Sequence, residues 1–204
     1  MGLKVSTIAR LPISTDRDYF VYFLDYGWEE PLSRAMYENF DKMAEIASEN
    51  RGLIICGLHR QEFANEVLSW HGVNGESAEG ILPAIMITDT EPRLVADSNR
   101  DFGRAGNRPA ERNSIQNMIV IPLKLLCNSP SDVADLLSKI ARDMKDKKSI
   151  SDFEVIKLVS KRDHGLADMV ILKPSLAGIG IDLVKAFQLG KQYWSKIKSE
   201  KPFP

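Results

Sequence analysis

Cys56 and His59 are separated by two residues, a spacing that suits a pair of metal ligands. His71 and Cys127 also have side chains of ligand type, but the four residues are scattered along the sequence. Closed zinc sites usually combine two closely spaced pairs. Because both cysteines also lie within apolar runs, we expect two buried thiols in a reducing compartment and no metal site.

A second set with possible chemistry is Asp152, Glu154 and Lys157, whose residue types match the acidic-acidic-lysine set of metal-dependent nucleases. Glu154 and Lys157 are three residues apart, and this spacing puts them on opposite faces of a strand. His164 stands in a predicted hairpin turn without a nucleophile motif beside it. We therefore predict no catalytic residues and no cofactor from these sets.

Five arginines lie between residues 93 and 112, and the last four recur every four residues. They are Arg93, Arg100, Arg104, Arg108 and Arg112. Gly103, Gly106 and Pro109 oppose a stable helix, so we expect a long loop over residues 93–117. Such a loop would bind an acidic partner or phosphates, or it would be a solvated loop with no binding role.

The elements that position these residues follow from the hydrophobic spacing. Apolar runs predict strands at 19–26, 53–58, 81–88, 118–126, 154–159 and 169–172. Apolar residues at intervals of three and four predict helices at 31–50, 61–70, 129–147 and 175–198. Ser129 and Pro130 are typical of a helix start, as N-cap and first helical residue. This order predicts an α/β fold with a mixed sheet.

The turn DYGWEEPLS, residues 25–33, joins the first of these strong strands to the first helix. This region resembles the thioredoxin family, in which a Trp-Cys-Gly-Pro-Cys turn joins a central strand to a long helix. The matching residues are Trp28-Glu29-Glu30-Pro31-Leu32. That family also has a cis-proline just before its third strand, and Leu82-Pro83 matches it. The resemblance covers residues 19–147 and implies a thioredoxin-like mixed sheet flanked by helices, with a cis Leu82-Pro83 bond.

The resemblance does not extend to the redox chemistry of the family. Dithiol exchange needs a thiolate at the start of the helix, and Glu29 and Leu32 occupy both cysteine positions. We therefore expect that the protein is not a dithiol oxidoreductase. The turn is interpreted as structural: Pro31 sets the first helical φ, Glu29 and Glu30 favour the helix dipole, and Trp28 packs beside the turn.

A polar break at residues 146–151 divides the chain into a thioredoxin-like domain, 1–148, and a strand-strand-helix extension packed on it, 149–204. The final helix carries an apolar stripe that includes Phe187 and Trp194 and is wider than one sheet face needs. We expect this helix to bury one side in its own chain. The rest of the stripe would bind a partner or a second copy of the chain.

Composition narrows the function classes. The chain has 204 residues, of which 44% are hydrophobic, and its net charge of -1 gives no overall electrostatic case for nucleic acid. No apolar stretch reaches the roughly 18 residues that span a bilayer. We expect a soluble, cytoplasmic protein without a membrane partner, which acts as a redox-inactive protein-binding or scaffold module. The alternative is a small-molecule or phosphate-ester enzyme that uses a crevice between Trp28 and Pro83 together with the arginine loop.

Overall fold

The computed structural model describes residues 1–12, 16–28, 30–71, 81–93 and 117–156, and the structural statements below concern these residues. Five strands form one mixed sheet in the order β1-β3-β2-β4-β5. The strands are β1 (Gly2–Val5), β2 (Tyr19–Leu24), β3 (Gly52–Gly57), β4 (Ala84–Thr88) and β5 (Met118–Pro122). β1, β3 and β2 are parallel to one another, β4 is antiparallel to β2, and β5 is antiparallel to β4.

Helices cover both faces of this sheet. They are α1 (Pro31–Glu38), α2 (Phe40–Glu49), α3 (Arg60–Trp70), α4 (Leu123–Leu126) and α5 (Pro130–Lys145), with 3₁₀ helices at Ile8–Arg10 and Ile150–Asp152. Alternate residues of the buried strands point to opposite faces, so Val21 and Phe23 contact α1, α2 and α5 while Phe20 and Tyr22 contact α3. The mixed α/β architecture with a helix-flanked mixed sheet is confirmed.

Three of the expected elements differ from the structure by more than two residues at one boundary or are divided. The helix predicted at 31–50 is two helices, because the chain turns at Asn39, whose side chain donates to the Ala35 carbonyl at 2.8 Å. The strand predicted at 81–88 begins only at Ala84, after Pro83, which has no N–H to donate to a ladder. The strand predicted at 118–126 ends at Pro122, where α4 begins.

The strand predicted at 154–159 is wrong in its described part, because residues 154–156 are helical. The carboxylate of Asp143, which is fully buried on α5, accepts a hydrogen bond from the Glu154 N–H at 2.6 Å. This contact satisfies a backbone donor that opens a helical turn, as N-capping carboxylates do. Residues 157–204, with the predicted strand at 169–172 and the predicted final helix, lie outside the described residues.

The segment that follows α5 is fixed to the core. Phe153 is fully buried, and its ring lies 5.7 Å from that of Tyr19 on β2. The Tyr19 hydroxyl donates to the Lys148 carbonyl at 2.6 Å, and the Lys148 ammonium contacts the Asp143 carboxylate at 2.5 Å. Buried apolar packing and a buried charge therefore hold residues 148–156 against the sheet.

Candidate functional site

Two loops meet at the edge of the sheet where β2 and β3 end. These strands are parallel and in register, with Phe23 opposite Cys56, so the residues that follow them leave the sheet at the same edge. Asp25, Tyr26 and Trp28 follow β2, and Leu58 and Arg60 follow β3. The carboxyl ends of neighbouring parallel strands are where α/β proteins commonly place their sites.

Trp28 is 66% exposed, which differs from the packed position expected from the sequence. Gly27, directly before it, has φ of 84°, in the left-handed region that glycine adopts readily, and this turns the chain outward. The Trp28 ring stacks on Tyr26, with ring centroids 5.4 Å apart. Leu58, after the neighbouring strand, is also exposed. Tyr26, Trp28 and Leu58 are called the Trp28 surface below.

Such exposure is uncommon in this molecule. Among the described residues, the large hydrophobic side chains classed as exposed are Met1, Trp28 and Leu58. Two of these three lie at one edge of the sheet. Single exposed apolar side chains are ordinary, but a group of them at one place is typical of an interaction surface.

An ion pair between a buried carboxylate and a half-exposed arginine lies at the same edge of the sheet. Asp25 is only 2% exposed, and its carboxylate accepts a hydrogen bond from Nη1 of Arg60 at 3.1 Å. The Arg60 guanidinium also lies over the Tyr37 ring, with its central carbon 4.0 Å from the ring centroid. Burial raises the pKa of the Tyr37 hydroxyl well above its usual value, so this phenol stays neutral. The arrangement fixes the guanidinium in one orientation.

The start of α1 agrees in part with the sequence prediction. Pro31 is the first helical residue, as expected. The Glu30 side chain makes no capping hydrogen bond and instead forms an ion pair with Lys124 of α4 at 3.1 Å. Glu29 lies outside the described residues. The contact from Glu30 to Lys124 ties the turn after β2 to the segment after β5.

Pro83 lies beside this turn. The Leu82-Pro83 peptide bond is cis, in agreement with the prediction. Ala84, the next residue, pairs with Leu24 at the end of β2, and the Pro83 carbonyl accepts from the Leu123 N–H at 2.8 Å. Pro83 is buried beside the turn, so it offers little surface to a ligand.

The two cysteines are both buried and unlinked, which confirms the expectation of buried thiols. Burial raises the pKa of Cys56 to about 11, against smaller opposing effects of Lys4 and Arg60. His59 is exposed outside the strand that buries Cys56, so the two residues whose spacing suits metal ligands lie in different environments. Within the described ranges, no group of three or more His, Cys, Asp or Glu side chains is arranged to hold a metal ion.

The arginine loop is described only at its first residue. Nε of Arg93 donates to the Leu11 carbonyl at 2.9 Å, and Arg93 follows the end of β4 opposite to the end at Pro83. The other predicted binding residues, Arg100, Arg104, Arg108, Arg112, Phe187 and Trp194, lie outside the described residues. Their roles stay predictions.

Sequence reasoning found Trp28 but missed Asp25, Arg60, Tyr37 and Leu58. A signal for two of them was present, since Asp25 directly follows a fully apolar strand and Arg60 opens the helix after the next parallel strand. The parallel pairing of β2 and β3 turns these two positions into neighbours. The contact of Arg60 with Tyr37 depends on helix packing that no sequence motif encodes.

Comparisons with known proteins gave no match: no family model, no curated protein and no solved structure matches the chain. In the part of the chain that the structure describes, no helix combines the length and apolar character that crossing a bilayer requires.

Proposed function

We propose that this chain is a redox-inactive protein with a thioredoxin-like fold that acts as a protein-binding module through the Trp28 surface. The observation that carries the proposal is the pair of exposed apolar side chains, Trp28 and Leu58, at the edge of the sheet where β2 and β3 end. The proposal concerns binding of another protein. Association with a second copy was predicted from Phe187 and Trp194, which lie outside the described residues.

The thioredoxin-like assignment is supported by where the matching residues stand. β2 is a central strand, with β3 on one side and β4 on the other, and the turn after it leads into α1 at Pro31. Pro83 directly precedes β4, whose first residue pairs with the last residue of β2. The turn and the proline therefore adjoin each other, which is the arrangement that the resemblance implies.

Redox inactivity is supported by the chemistry of the thiols. The family's cysteine positions hold Glu29 and Leu32. Cys56 lies inside the core, where burial raises its pKa to about 11, so very little thiolate forms near neutral pH. Cys127 is buried as well. Neither thiol has the solvent-exposed environment of a reactive cysteine.

Binding is supported by the energetics of the Trp28 surface. Fully burying a large apolar side chain contributes about 1.5–3 kcal/mol, so covering Trp28 and Leu58 would contribute about 3–6 kcal/mol before the costs of association. Exposed tryptophans that become buried on binding are among the residues whose loss weakens interfaces most. The core beneath them is already ordered by the Asp25–Arg60 pair, so little rearrangement is needed.

The test is quantitative co-purification from the native cell with wild type, Trp28→Ala and Leu58→Ser. We expect the specifically retained proteins to be lost or reduced at least tenfold with either variant, because each removes a large part of the exposed apolar area. Trp28→Phe is a conservative control that keeps an aromatic ring at this position. Arg142→Ala, at an exposed position on α5, is a control for an unrelated surface change.

The proposal is contradicted by an unchanged set of retained proteins in folded Trp28→Ala and Leu58→Ser variants. Circular dichroism of each variant separates loss of binding from loss of folding. The enzyme alternative stays a prediction from the sequence, since four of its five arginines lie outside the described residues.

A further inference from the structure

Arg60 has hydrogen-bonding capacity that no acceptor among the described residues uses. Of the five N–H donors of a guanidinium, the hydrogen bond to Asp25 takes one, on Nη1. No other acceptor for the Arg60 side chain is present among the described residues, and its side chain is 39% exposed. A cation with unused donors is therefore accessible at the edge where β3 ends.

This cation is held in place before any ligand arrives. Asp25 fixes one nitrogen of the guanidinium at 3.1 Å, and the Tyr37 ring supports its face at 4.0 Å. Long charged side chains on a surface normally lose rotamer freedom on binding, and here much of that loss has already occurred. A planar, oriented guanidinium is suited to a carboxylate because its fork of donors matches two oxygens.

The start of α3 adds to the same electrostatic environment. Arg60 is the first residue of this 11-residue helix, and no side chain caps its first turn. The free N–H groups of a helix N-terminus favour a negative group nearby. Glu62, an exposed acid in the first turn of α3, offsets part of this effect. Of the carboxylates after β2, Asp25 is paired with Arg60 and Glu30 is paired with Lys124.

The cation adjoins the Trp28 surface. A Cβ atom at Gly27 would lie 3.8 Å from Cβ and 3.9 Å from Cδ of Arg60, so the turn that presents Trp28 contacts the stem of this side chain. Leu58 stands two residues before Arg60 in the chain. An apolar surface and an oriented positive group thus occupy one place.

Building on the proposed function, we infer that the partner segment bound here is an acidic peptide, in which an aspartate or glutamate stands beside an aromatic or aliphatic side chain. The apolar side chain covers Trp28 and Leu58. The side-chain carboxylate accepts hydrogen bonds from the unused donors of Arg60, which then lies between two carboxylates, that of Asp25 and that of the peptide.

The test begins with selection from a library of random peptides whose C-termini are amidated or fused, so that the only carboxylates are those of side chains. The full-length protein is the target, and Trp28→Ala serves for counter-selection. We expect the peptides that require Trp28 to be enriched in aspartate or glutamate next to a large apolar residue. The dissociation constant of a selected peptide is then compared with that of the same peptide carrying glutamine or asparagine in place of the acid.

A double variant, Asp25→Asn with Arg60→Gln, replaces the ion pair by two neutral amide side chains, which avoids leaving the buried Asp25 charge unpaired. With wild type and with the control Arg142→Gln, we expect the acid-to-amide change in the peptide to weaken binding about tenfold. With the double variant, the same change would weaken binding less than about twofold, because the group that receives the carboxylate is gone. Arg60→Lys retains the charge and is expected to give an intermediate loss.

Four outcomes overturn the inference, and they separate it from the proposed function. If the selected peptides need Trp28 but lack an acid, the inference of an acidic partner is wrong, while the proposal of protein binding is retained. The same conclusion follows if the acid-to-amide change in the peptide weakens binding equally to wild type and to the double variant. If no peptide binding depends on Trp28 and the co-purification is also unaffected, both proposals fail. If sedimentation shows a dimer that Trp28→Ala dissociates, a second copy occupies this surface instead of the peptide.

Discussion

Replacement of Phe153 by alanine tests how firmly the segment after α5 belongs to the core. The Phe153 side chain is fully buried and lies 5.7 Å from the ring of Tyr19. Removal of a buried phenylalanine side chain typically lowers the free energy of unfolding by about 3–5 kcal/mol through lost burial and the cavity left behind. The Tyr19 hydroxyl is hydrogen-bonded to the Lys148 carbonyl, which keeps its ring from moving into that cavity.

We therefore expect Phe153→Ala to lower the free energy of unfolding by about 4 kcal/mol, a large part of the 5–15 kcal/mol of a typical domain. Urea unfolding followed by circular dichroism measures this difference. Phe153→Leu keeps much of the volume and should cost less than about 1.5 kcal/mol, while the exposed Ser151→Ala should change it by less than about 0.5 kcal/mol. A loss below 1 kcal/mol for Phe153→Ala would refute the packing of this segment on the sheet.

Three further predictions follow from other contacts. Asp143→Asn should lower the free energy of unfolding by about 2 kcal/mol, because it weakens the acceptor for the Glu154 N–H and removes the ion pair with Lys148. Urea unfolding should show a much smaller change for Asp146→Asn, which alters an exposed carboxylate 3.7 Å from the same Lys148 ammonium. Burial raises the pKa of Cys56 from about 9 in the unfolded chain to about 11, so the stability contributed by the buried neutral thiol is fully present below pH 9 and is lost as pH rises through 11. Alkylation of the native protein at pH 8 should leave Cys56 unmodified, and rapid modification there would contradict its burial. Trp28→Ala should change the free energy of unfolding by less than about 0.5 kcal/mol because the side chain is 66% exposed, and a larger loss in urea unfolding would indicate that Trp28 supports the fold.

The sequence was sufficient for features that depend on local chemistry. Continuous apolar runs identified β2 and β3, because a strand buried on both faces has no polar side to display. Ser129 caps α5 by accepting from the Asp132 N–H, as its residue type and position predict. Pro31 stands at the first helical position for the same kind of local reason.

Features that depend on tertiary contacts were not predictable in this way. The helical turn at residues 154–156 needs the Asp143 carboxylate from α5, eleven residues earlier, to accept from its first N–H. The exposure of Trp28 follows from the positive φ of Gly27, and a glycine permits that conformation without requiring it. The Asp25–Arg60 pair needs the register between β2 and β3, which no single-strand pattern specifies.

The central claim, that another protein covers the Trp28 surface, is tested most directly by site-specific photo-crosslinking in the native cell. A photoreactive phenylalanine analogue replaces Leu58, and a control protein carries it at Arg142 on the exposed side of α5. We expect one discrete crosslinked partner from position 58, absent from position 142 and lost when Trp28→Ala is added. Equal crosslinking from both positions, or a crosslink from position 58 that persists without Trp28, would contradict it.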